Sequence, residues 1–511
     1  MKGKVYLTGA GPGDIDLITV KAKKAIEEAD VILYDRLAND RLLDYASADS
    51  ELYYVGKKAK KHYYTQTEIN ELLIEKAFEG KIVTRLKGGD SFVFGRGGEE
   101  ALVLEKADID FEIIPGITSP IAVPEYAGIP VTQRNISSSF AVITGHEASD
   151  KKESAVDWSE LADSVDTLIV LMGVGNLPNI TKKLMEAGMD KNIPVALIRW
   201  GTRSRQETIS GELFNIAEKV KEADFKPPAV IVIGKVVNLR KKLNWFEKRP
   251  LFSENIIVTR PKKQAGKFSS LLEKQGAEAV SCPTIEITPP DNYQGLDTSI
   301  KNIDKYDWII FTSVNGVKYF LQRLFQKGLD VRSLSKLKIG AIGSKTAQRL
   351  QESGIIVDFR PENYSTEGIL EEISDFEIKN DYFLLPRADI APPRLKNGLE
   401  DMGAEVDDIN AYCNIQPDFP EEVYEKIKND EIDMVTFTSS STVQNFVKSL
   451  QEYDDSNYKD IISNLEAACI GPVTADTARE EGFSVEVVAA EYTIEKLADE
   501  IIDYYNKKRE G

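Results

Sequence analysis

A duplication within the C-terminal half sharply narrows the choice of folds. The stretch Ile309–Phe320, IIFTSVNGVKYF, matches Val435–Phe446, VTFTSSSTVQNF, and AIGSKTAQRLQESGIIV matches CIGPVTADTAREEGFSV at nearly the same offset. Each copy has the pattern of a buried strand, a short polar turn and an amphipathic helix. The duplication therefore predicts two similar α/β lobes with parallel sheets, and a cleft between such lobes is an ordinary place for a ligand.

The remaining runs predict how the chain is divided. The strand-like run Asn255–Thr259 precedes the first copy, so we expect it to join the lobe of the second copy. This gives lobe A about residues 255–288 plus 413–511 and lobe B about 289–412, with crossovers near Thr288 and Tyr412. Residues 1–245 alternate short apolar runs with helical patterns, which predicts a separate α/β region with largely parallel sheets. The charged segment 246–254 contains Pro250 and is expected to be a linker.

Composition limits the function. The chain carries 83 acidic and 64 basic side chains and a formal net charge of −19, which argues against nucleic-acid binding and adhesion to an anionic membrane. Its three cysteines are scattered and it has two histidines, so no disulfide framework or metal site is expected. The sequence shows no signal-peptide pattern and no membrane-length apolar run, and we expect a cytoplasmic protein.

A glycine-rich turn, TGAGPGD over Thr8–Asp14, follows the first apolar run. With Asp35 some 20 residues on, its spacing suggests a dinucleotide-binding loop. However, Asp14 occupies the position of the third glycine, and Pro12 removes a backbone donor, so a pyrophosphate is poorly accommodated. These features favour a cationic or zwitterionic ligand over NAD.

A second loop, LKGGDSFVFGRGGEE over Leu86–Glu100, supplies further glycines, and Asp90 could accept a hydrogen bond from an amine or a ribose hydroxyl. S-adenosylmethionine carries a sulfonium and no phosphate, and therefore suits both loops. Either loop alone is better explained as a tight strand–helix turn. The two together favour a binding site.

Residues Lys2 to Trp245 closely resemble uroporphyrinogen-III C-methyltransferases, through the ordered motifs VYLTGAGPGD, ADVILYDRL, VGKKAKKH, RLKGGDSFVFGRGGEE, PGITSPIAVPEYAGIPVTQR, ITGH, LIVLMG and RWGT. The resemblance implies a two-lobed tetrapyrrole methylase fold, S-adenosyl-L-methionine as cofactor and a homodimer formed through this half. It implies Asp35 as proton acceptor and Lys57 as proton donor. The implied cofactor-lining residues are Pro12, Gly88, Gly89, Asp90, Val93, Thr118, Ser119, Met172 and Gly201.

The implied substrate, uroporphyrinogen III, is a polycarboxylate. Arg36, Lys58 and Arg85 are expected to supply the local positive field that it needs, although charge runs are often only solvated faces. Asp35 follows a strand, where open α/β sheets place their sites, and the alternative role for it is capping the next helix. The sequence departs from the family pattern at Ser91, Gln133 and Arg199–Trp200.

The C-terminal half, from about Asn255 to Tyr505, resembles uroporphyrinogen-III synthases through VTRP, CPTIEI, DWIIFTSVNGV, LPRADIA, AYCNI, VTFTSSSTV and CIGPVTADTAREEG. The resemblance implies cyclisation of hydroxymethylbilane with inversion of ring D and without a cofactor. Tyr412 matches the tyrosine proposed to assist the departing hydroxyl. Hydroxyls at strand ends are expected to bind the substrate carboxylates, with helix capping as the simpler alternative; they belong to Thr312, Ser313, Thr438, Ser439 and Thr474.

Together the two resemblances imply a bifunctional enzyme that forms uroporphyrinogen III and methylates it at C-2 and C-7 to give precorrin-2. Two alternatives stay open. The methylase could act on a later corrin precursor, and the bilobal half could bind a tetrapyrrole without catalysis. The end product, sirohaem or cobalamin, is not indicated by the sequence.

Overall fold

Four five-stranded sheets are formed by residues 2–56, 64–145 and 157–510, the ranges described by the structure, a computed structural model. The chain divides into two compact units. One unit comprises Met1–Asn255, Ser270–Ala279 and Ile502–Gly511, and the other comprises Ile256–Ser269 and Val280–Ile501. The predicted fold class, α/β with several parallel-sheet lobes, is confirmed.

The first sheet is parallel throughout, with the order β3-β2-β4-β1-β5. Its strands are β1 (Lys4–Gly9), β2 (Val31–Tyr34), β3 (Glu51–Tyr54), β4 (Ile82–Lys87) and β5 (Asp110–Ile114). The accompanying helices are α1 (Val20–Glu27), α2 (Gln66–Phe78) and α3 (Gly97–Lys106), whereas α4 (Ser119–Tyr126), which follows β5, packs on the second sheet. Val31, Ile32 and Leu33 are fully buried, as expected for a parallel strand covered on both faces. Because the strands run the same way, the loops after their carboxyl ends share one edge.

The second sheet is mixed, with the order β6-β7-β10-β8-β9. Its strands are β6 (Phe140–Thr144), β7 (Thr167–Leu171), β8 (Pro194–Arg199), β9 (Glu207–Glu212) and β10 (Ala229–Gly234), and its helices are α5 (Trp158–Ser164), α6 (Leu177–Glu186), α7 (Ile216–Glu222) and α8 (Arg240–Leu243). β6 and β7 are parallel, whereas β10 is antiparallel to β7 and β8, and β8 to β9. The expectation of largely parallel pairing does not hold here. The loop 200–206 is too short for a parallel crossover, so β8 and β9 pair antiparallel.

The expected linker, 246–254, is packed against the first unit. Phe246 and Leu251 are buried. The carboxylate of Glu247 accepts hydrogen bonds from Gln206 Nε2 at 2.8 Å and Thr208 Oγ1 at 2.7 Å. The charged composition that suggested an open linker therefore reflects specific pairing, and the two apolar residues hold the segment in place.

The C-terminal half contains the two expected lobes. One sheet has the order β12-β11-β18-β19-β20 and the other β13-β17-β16-β14-β15. The strands are β11 (Asn255–Val258), β12 (Glu278–Ser281), β13 (Glu286–Thr288), β14 (Trp308–Phe311), β15 (Lys338–Ala341), β16 (Tyr382–Ala388), β17 (Glu405–Ile415), β18 (Met434–Phe437), β19 (Glu466–Cys469) and β20 (Ser484–Val488). The helices are α9 (Lys262–Lys274), α10 (Gln294–Lys301), α11 (Val314–Gln326), α12 (Ser344–Glu352), α13 (Thr366–Ile373), α14 (Arg394–Asp401), α15 (Glu421–Lys428), α16 (Ser440–Tyr453), α17 (Tyr458–Asn464), α18 (Pro472–Glu480) and α19 (Ile494–Glu510).

The opening strand β11 pairs in parallel with β18, so it lies in the lobe of the second copy. The crossings between the lobes differ by a few residues from the expected positions. The β13 strand, which includes Thr288, pairs antiparallel with the end of β17. Residues 286–288 and 413–415 therefore lie in lobe B and not in lobe A, because this pairing extends the lobe B sheet beyond the repeated unit.

Short 3-10 helices occur at Ile15–Leu17, Asp40–Tyr45, Val174–Asn176, Lys235–Leu239, Ile303–Lys305 and Val331–Leu334. Within the described ranges, no helix has both the length and the apolar character needed to cross a bilayer.

Candidate active sites

Three loops of the first sheet meet backbone to backbone at its carboxyl edge. Gly11 and Gly89 each donate an N–H to the carbonyl of the other, with N···O distances of 3.1 and 2.7 Å. A Cβ on Gly9 would lie 2.5 Å from the Gly116 nitrogen, and a Cβ on Gly116 would lie 2.2 Å from the Gly89 carbonyl oxygen. A larger residue at Gly9 or Gly116 would force these loops apart, so the glycines are required for their close approach.

Asp90 ties two of these loops together. Its Oδ1 accepts the Phe92 N–H at 2.8 Å and its Oδ2 accepts the Gly116 N–H at 2.9 Å. The sequence suggested an amine or a ribose hydroxyl as its partner. Both oxygens instead accept backbone hydrogen bonds, although each keeps a further lone pair. Asp90 thus shapes the loops around any ligand.

The expected cofactor-lining residues of the first lobe lie at this edge. A Cβ on Gly89 would lie 3.5 Å from the Ser119 nitrogen, at the start of α4. Thr118, the N-cap residue of α4, makes no capping bond through its hydroxyl. Val93 is partly exposed, and Pro12 offers no N–H for a phosphate. Close backbone loops, an uncommitted hydroxyl and an exposed apolar side chain fit S-adenosylmethionine better than a dinucleotide.

The two remaining cofactor-lining candidates come from the second lobe. Met172 follows β7 with a positive φ of 54° and is 55% exposed. Gly201 is buried, and a Cβ there would lie 2.4 Å from Val123 Cγ1. The next residue, Thr202, accepts the Asp14 N–H through Oγ1 at 2.9 Å. The 200–206 loop is therefore bound to the glycine loop of the first lobe.

The three departures from the family pattern have different surroundings. Ser91 is fully buried, and within the described part of the chain its Oγ has no hydrogen-bond partner. Gln133 exchanges backbone hydrogen bonds with Ser137. Arg199 pairs with Glu207, with Nη1 3.3 Å from Oε2.

Asp35, the expected proton acceptor, follows β2 and is held from two sides. Its Oδ1 accepts the Leu37 N–H at 3.1 Å, and its Oδ2 lies 3.4 Å from Arg85 Nη2. The side chain retains about a quarter of its exposure. Asp35 does not cap the next helix, because that 3-10 helix, Asp40–Tyr45, has Asn39 as its N-cap. Asp35 instead closes a local turn and still presents a carboxylate at the sheet edge.

Arg85 belongs to a buried charge cluster behind Asp35. Its Nε lies 3.3 Å from Glu100 Oε1, and the same oxygen accepts a hydrogen bond from Lys87 Nζ at 2.9 Å. All three side chains are almost completely buried. Burial and the neighbouring Arg85 lower the pKa of Lys87. Arg85 therefore has carboxylate neighbours inside the protein in place of the substrate carboxylate expected from the sequence.

The other expected groups of this half are only partly placed. Lys57 and Lys58 lie outside the described residues. Arg36 is exposed, and its Cζ lies 5.6 Å from the centre of the Trp200 ring. Within the described ranges, no group of three or more His, Cys, Asp or Glu side chains is arranged to hold a metal ion.

In lobe B, Tyr412 is buried and bonded to Ser313. The phenol oxygen lies 3.0 Å from Ser313 Oγ, and the same Oγ accepts the Gly316 N–H at 2.9 Å at the start of α11. The Tyr412 ring stacks on Tyr319 with centroids 5.8 Å apart. Burial raises the pKa of Tyr412. Ser313 thus both caps a helix and orients the phenol.

In lobe A, the corresponding hydroxyls lie at the starts of α16 and α18. Ser439 caps α16 by accepting the Thr442 N–H at 3.3 Å. The two helix starts are joined by a hydrogen bond from Thr477 Oγ1 to Ser440 Oγ at 2.8 Å. Thr474 is buried. Thr312 and Thr438 are half-buried at the corresponding strand ends of the two lobes.

Sequence reasoning missed three residues that shape these sites. Glu100 carries the charge cluster, Thr202 anchors the glycine loop, and Tyr126 OH donates to Asp14 Oδ2 at 3.0 Å. The GGEE stretch offered a signal for Glu100, because an acid in the first turn of a helix is favoured. That stretch contains two acids, however, and nothing in it shows which one is buried.

Comparison with known proteins agrees with this architecture. Residues 4–217 match the family model of tetrapyrrole (corrin/porphyrin) methylases, and residues 266–499 match that of uroporphyrinogen-III synthase HemD. A porphyrin biosynthesis protein HemD from Ruminiclostridium josui is 39% identical over 98% of this chain and 98% of its own length. The chain therefore belongs to the family of proteins in which a tetrapyrrole methylase is fused to a uroporphyrinogen-III synthase.

Relatives of the N-terminal half alone are more similar. A uroporphyrinogen-III C-methyltransferase from Methanocaldococcus jannaschii is 58% identical over 47% of this chain and 98% of its own. An S-adenosyl-L-methionine-dependent uroporphyrinogen III methyltransferase from Methanosarcina barkeri is 52% identical over 46% of this chain and 93% of its own.

Proposed function

We propose that this chain carries out two successive steps of tetrapyrrole synthesis. The C-terminal half, about residues 255–511, cyclises hydroxymethylbilane to uroporphyrinogen III with inversion of ring D. The N-terminal half, residues 1–245, methylates that product at C-2 and C-7 to give precorrin-2. The fused family membership supports this proposal, since the product of one half is the substrate of the other.

One observation supports the proposed methylase step: three glycine-dependent loops meet at the sheet edge that also holds Asp35. Bound S-adenosylmethionine supplies a methyl group on its sulfonium. The loops at Gly9, Gly89 and Gly116 orient the reactants, which is the main contribution that such a transfer needs. Asp35, held by Arg85, accepts the proton that the methylated ring carbon must lose. Lys57 is proposed as the proton donor, by resemblance.

The synthase step depends on a protonated phenol beside a set of anion-binding hydroxyls. Tyr412 donates a hydrogen bond to the departing hydroxyl of the bilane as negative charge develops there. Ser313, 3.0 Å away, keeps the phenol in place. The strand-end hydroxyls and helix-start amides of both lobes bind the acetate and propionate groups, and their positions hold the bilane in the geometry that favours inversion. No cofactor is required in this half.

We also propose that the protein is a homodimer through the N-terminal half, which the resemblance to uroporphyrinogen-III C-methyltransferases supports. Light scattering on the intact chain tests this. A monomeric mass over the working concentration range would contradict it.

The deciding experiment supplies the intact chain with hydroxymethylbilane, with and without S-adenosylmethionine. Without the methyl donor we expect uroporphyrinogen III, and with it a dimethylated product whose methyl positions are identified by mass spectrometry and NMR. If the bilane is consumed no faster than it closes spontaneously, the alternative of a non-catalytic, tetrapyrrole-binding C-terminal half is favoured. If only a later corrin precursor is methylated, the alternative substrate for the methylase half is favoured.

A further inference from the structure

Three guanidinium groups surround the indole ring of Trp200. The Cζ atoms of Arg205, Arg203 and Arg36 lie 4.0, 5.5 and 5.6 Å from the ring centre. Cations at these distances from an indole ring are attracted by its negative face. Trp200 itself has a positive φ of 48°, a conformation that a bulky residue adopts only when its surroundings impose it. The ring is therefore a fixed centre around which the three arginines gather.

In the described part of the chain, none of these three arginines forms an ion pair. Within residues 2–56, 64–145 and 157–510, no carboxylate lies within ion-pair distance of Arg36, Arg203 or Arg205. The neighbouring Arg199, in contrast, is paired with Glu207. Burial and the nearby Arg205 lower the pKa of Arg203 to about 10, so it remains charged at neutral pH. Glu278 and Asp40 are near enough to act on the charge of Arg203, but none of the three arginines has a directly paired carboxylate among the described residues, and such a cluster of positive charge favours the binding of an anion.

The cluster borders the methylase site. Arg36 directly follows Asp35 in the chain. Arg203 Nη2 donates to the Leu37 carbonyl at 3.4 Å, and a Cβ on Gly13 would lie 2.9 Å from Arg203 Nε. The arginines thus stand where the second-lobe loop 200–206 meets the glycine loop and the loop that carries the proposed proton acceptor.

We propose that Trp200, Arg36, Arg203 and Arg205 form a carboxylate-binding subsite that receives an acidic side arm of the tetrapyrrole to be methylated. The planar guanidinium groups suit a carboxylate, which can accept two parallel N–H donors. The indole ring keeps the arginines oriented when no substrate is present. This subsite rests on the proposed methylase function and adds a specificity element for polycarboxylate substrates. It lies in the region where the sequence departs from the family pattern.

Steady-state methylation of uroporphyrinogen III by the intact chain tests the subsite. Arg205 is exposed, so Arg205→Ala and Arg205→Glu should not disturb folding. Loss of a charge-assisted hydrogen bond should raise the KM for uroporphyrinogen III about tenfold in Arg205→Ala, and more in Arg205→Glu. The KM for S-adenosylmethionine and the kcat should stay near wild type. Binding of oxidised uroporphyrin III should weaken in parallel and should depend less on salt than in the wild type.

Arg332→Ala is the matched control, because it removes one positive charge from an exposed position in the other unit. It should leave the methylation KM unchanged. Wild-type KM in both Arg205 variants would overturn the subsite while leaving the methylase function standing, as would an equal rise in Arg332→Ala. Absence of any methylation by the wild-type chain would instead overturn the proposed function itself.

Discussion

Arg85 connects Asp35 at the edge of the first sheet to Glu100 in the interior. Its Nη2 lies 3.4 Å from Asp35 Oδ2 and its Nε lies 3.3 Å from Glu100 Oε1. An arginine fixed by a buried carboxylate has little freedom to turn away, so the direction of Asp35 depends on Glu100, which is completely buried. The proposed methylase site and the stability of its lobe are therefore coupled through this guanidinium.

The first prediction concerns Glu100→Gln. This change keeps the shape of the side chain but leaves Arg85 and Lys87 buried without their shared counter-charge. Breaking a buried charge cluster in this way should lower the free energy of unfolding by about 3–5 kcal/mol. Denaturant unfolding of the intact chain, followed by far-UV circular dichroism, measures the loss.

Glu99→Gln is the matched control for this prediction, since Glu99 is adjacent and pairs with Arg96 on an exposed face. It should change the unfolding free energy by less than about 1 kcal/mol. Equal effects of the two substitutions would show that the buried cluster contributes nothing special.

The second prediction separates two roles of Asp35. Asp35→Asn keeps an oxygen that can accept the Leu37 N–H but removes the basic carboxylate. If Asp35 accepts the proton, kcat for methylation should fall roughly 10²–10⁴-fold, while affinity for S-adenosylmethionine is retained. Stopped assays together with calorimetric titration distinguish the two quantities. A wild-type kcat in this variant would mean that Asp35 only stabilises the local turn and is not the proton acceptor.

The third prediction concerns Asp90→Asn. The amide can accept one of the two backbone hydrogen bonds but presents N–H groups toward the other donor, so the loops at Gly89 and Gly116 should separate. Affinity for S-adenosylmethionine should weaken by about 1–3 kcal/mol, as measured by calorimetry, and NAD should not bind to either form. Asp110→Asn, at the opposite end of the sheet, serves as the control. Unchanged affinity in Asp90→Asn would place the loop closure outside the binding site.

The sequence predicted the lobes of the C-terminal half because a duplicated strand–turn–helix unit can bury its apolar face in few ways. The exact residues at which the chain crosses between the two lobes were harder to predict from the sequence. β13 is only Glu286–Thr288, and its place is decided by pairing with the far end of β17. A three-residue stretch is too short for its sequence to indicate such long-range pairing. The mixed second sheet was not predicted either, because the order of strands and helices alone does not show that the short loop after Arg199 joins two antiparallel strands.

The positions of charged residues in the sequence did not show which of them are buried. Arg85 was expected to contribute to an open positive field, yet the strand that carries it is buried almost throughout. Glu99 and Glu100 are neighbours in sequence, but only the packing of α3 decides that one is exposed and the other completely buried. The glycine loops were easier to predict, because close approach of two backbones requires a residue without a Cβ, and glycine is identified directly in the sequence.

The last prediction tests the phenol of the synthase half. Tyr412→Phe keeps the ring stacked on Tyr319 and removes only the hydroxyl that Ser313 orients. Spontaneous closure of the bilane proceeds without inversion, so the inverted isomer identifies the enzymatic product. The rate at which it forms measures the contribution of the phenol as hydrogen-bond donor. Turnover should slow by roughly 10²–10⁴-fold, and the enzymatic product should still be the inverted isomer, because the strand-end hydroxyls are intact. Ser313→Ala should slow the reaction less, since the phenol remains but is less well held.

Burial raises the pKa of Tyr412 above the ordinary tyrosine value, so the phenol stays protonated through the range in which an exposed tyrosine would ionise. Ionisation of Tyr412 should therefore not lower the wild-type rate as the pH approaches 10.

Tyr319→Phe is the control. The Tyr319 hydroxyl donates to the Ile287 carbonyl at 2.9 Å and so stabilises the lobe, and its loss should leave the rate within a few-fold of wild type. Chromatographic separation of the two uroporphyrin isomers after oxidation measures rate and outcome together. Wild-type turnover in Tyr412→Phe would mean that the cleft alone directs the reaction and that Tyr412 is there to pack.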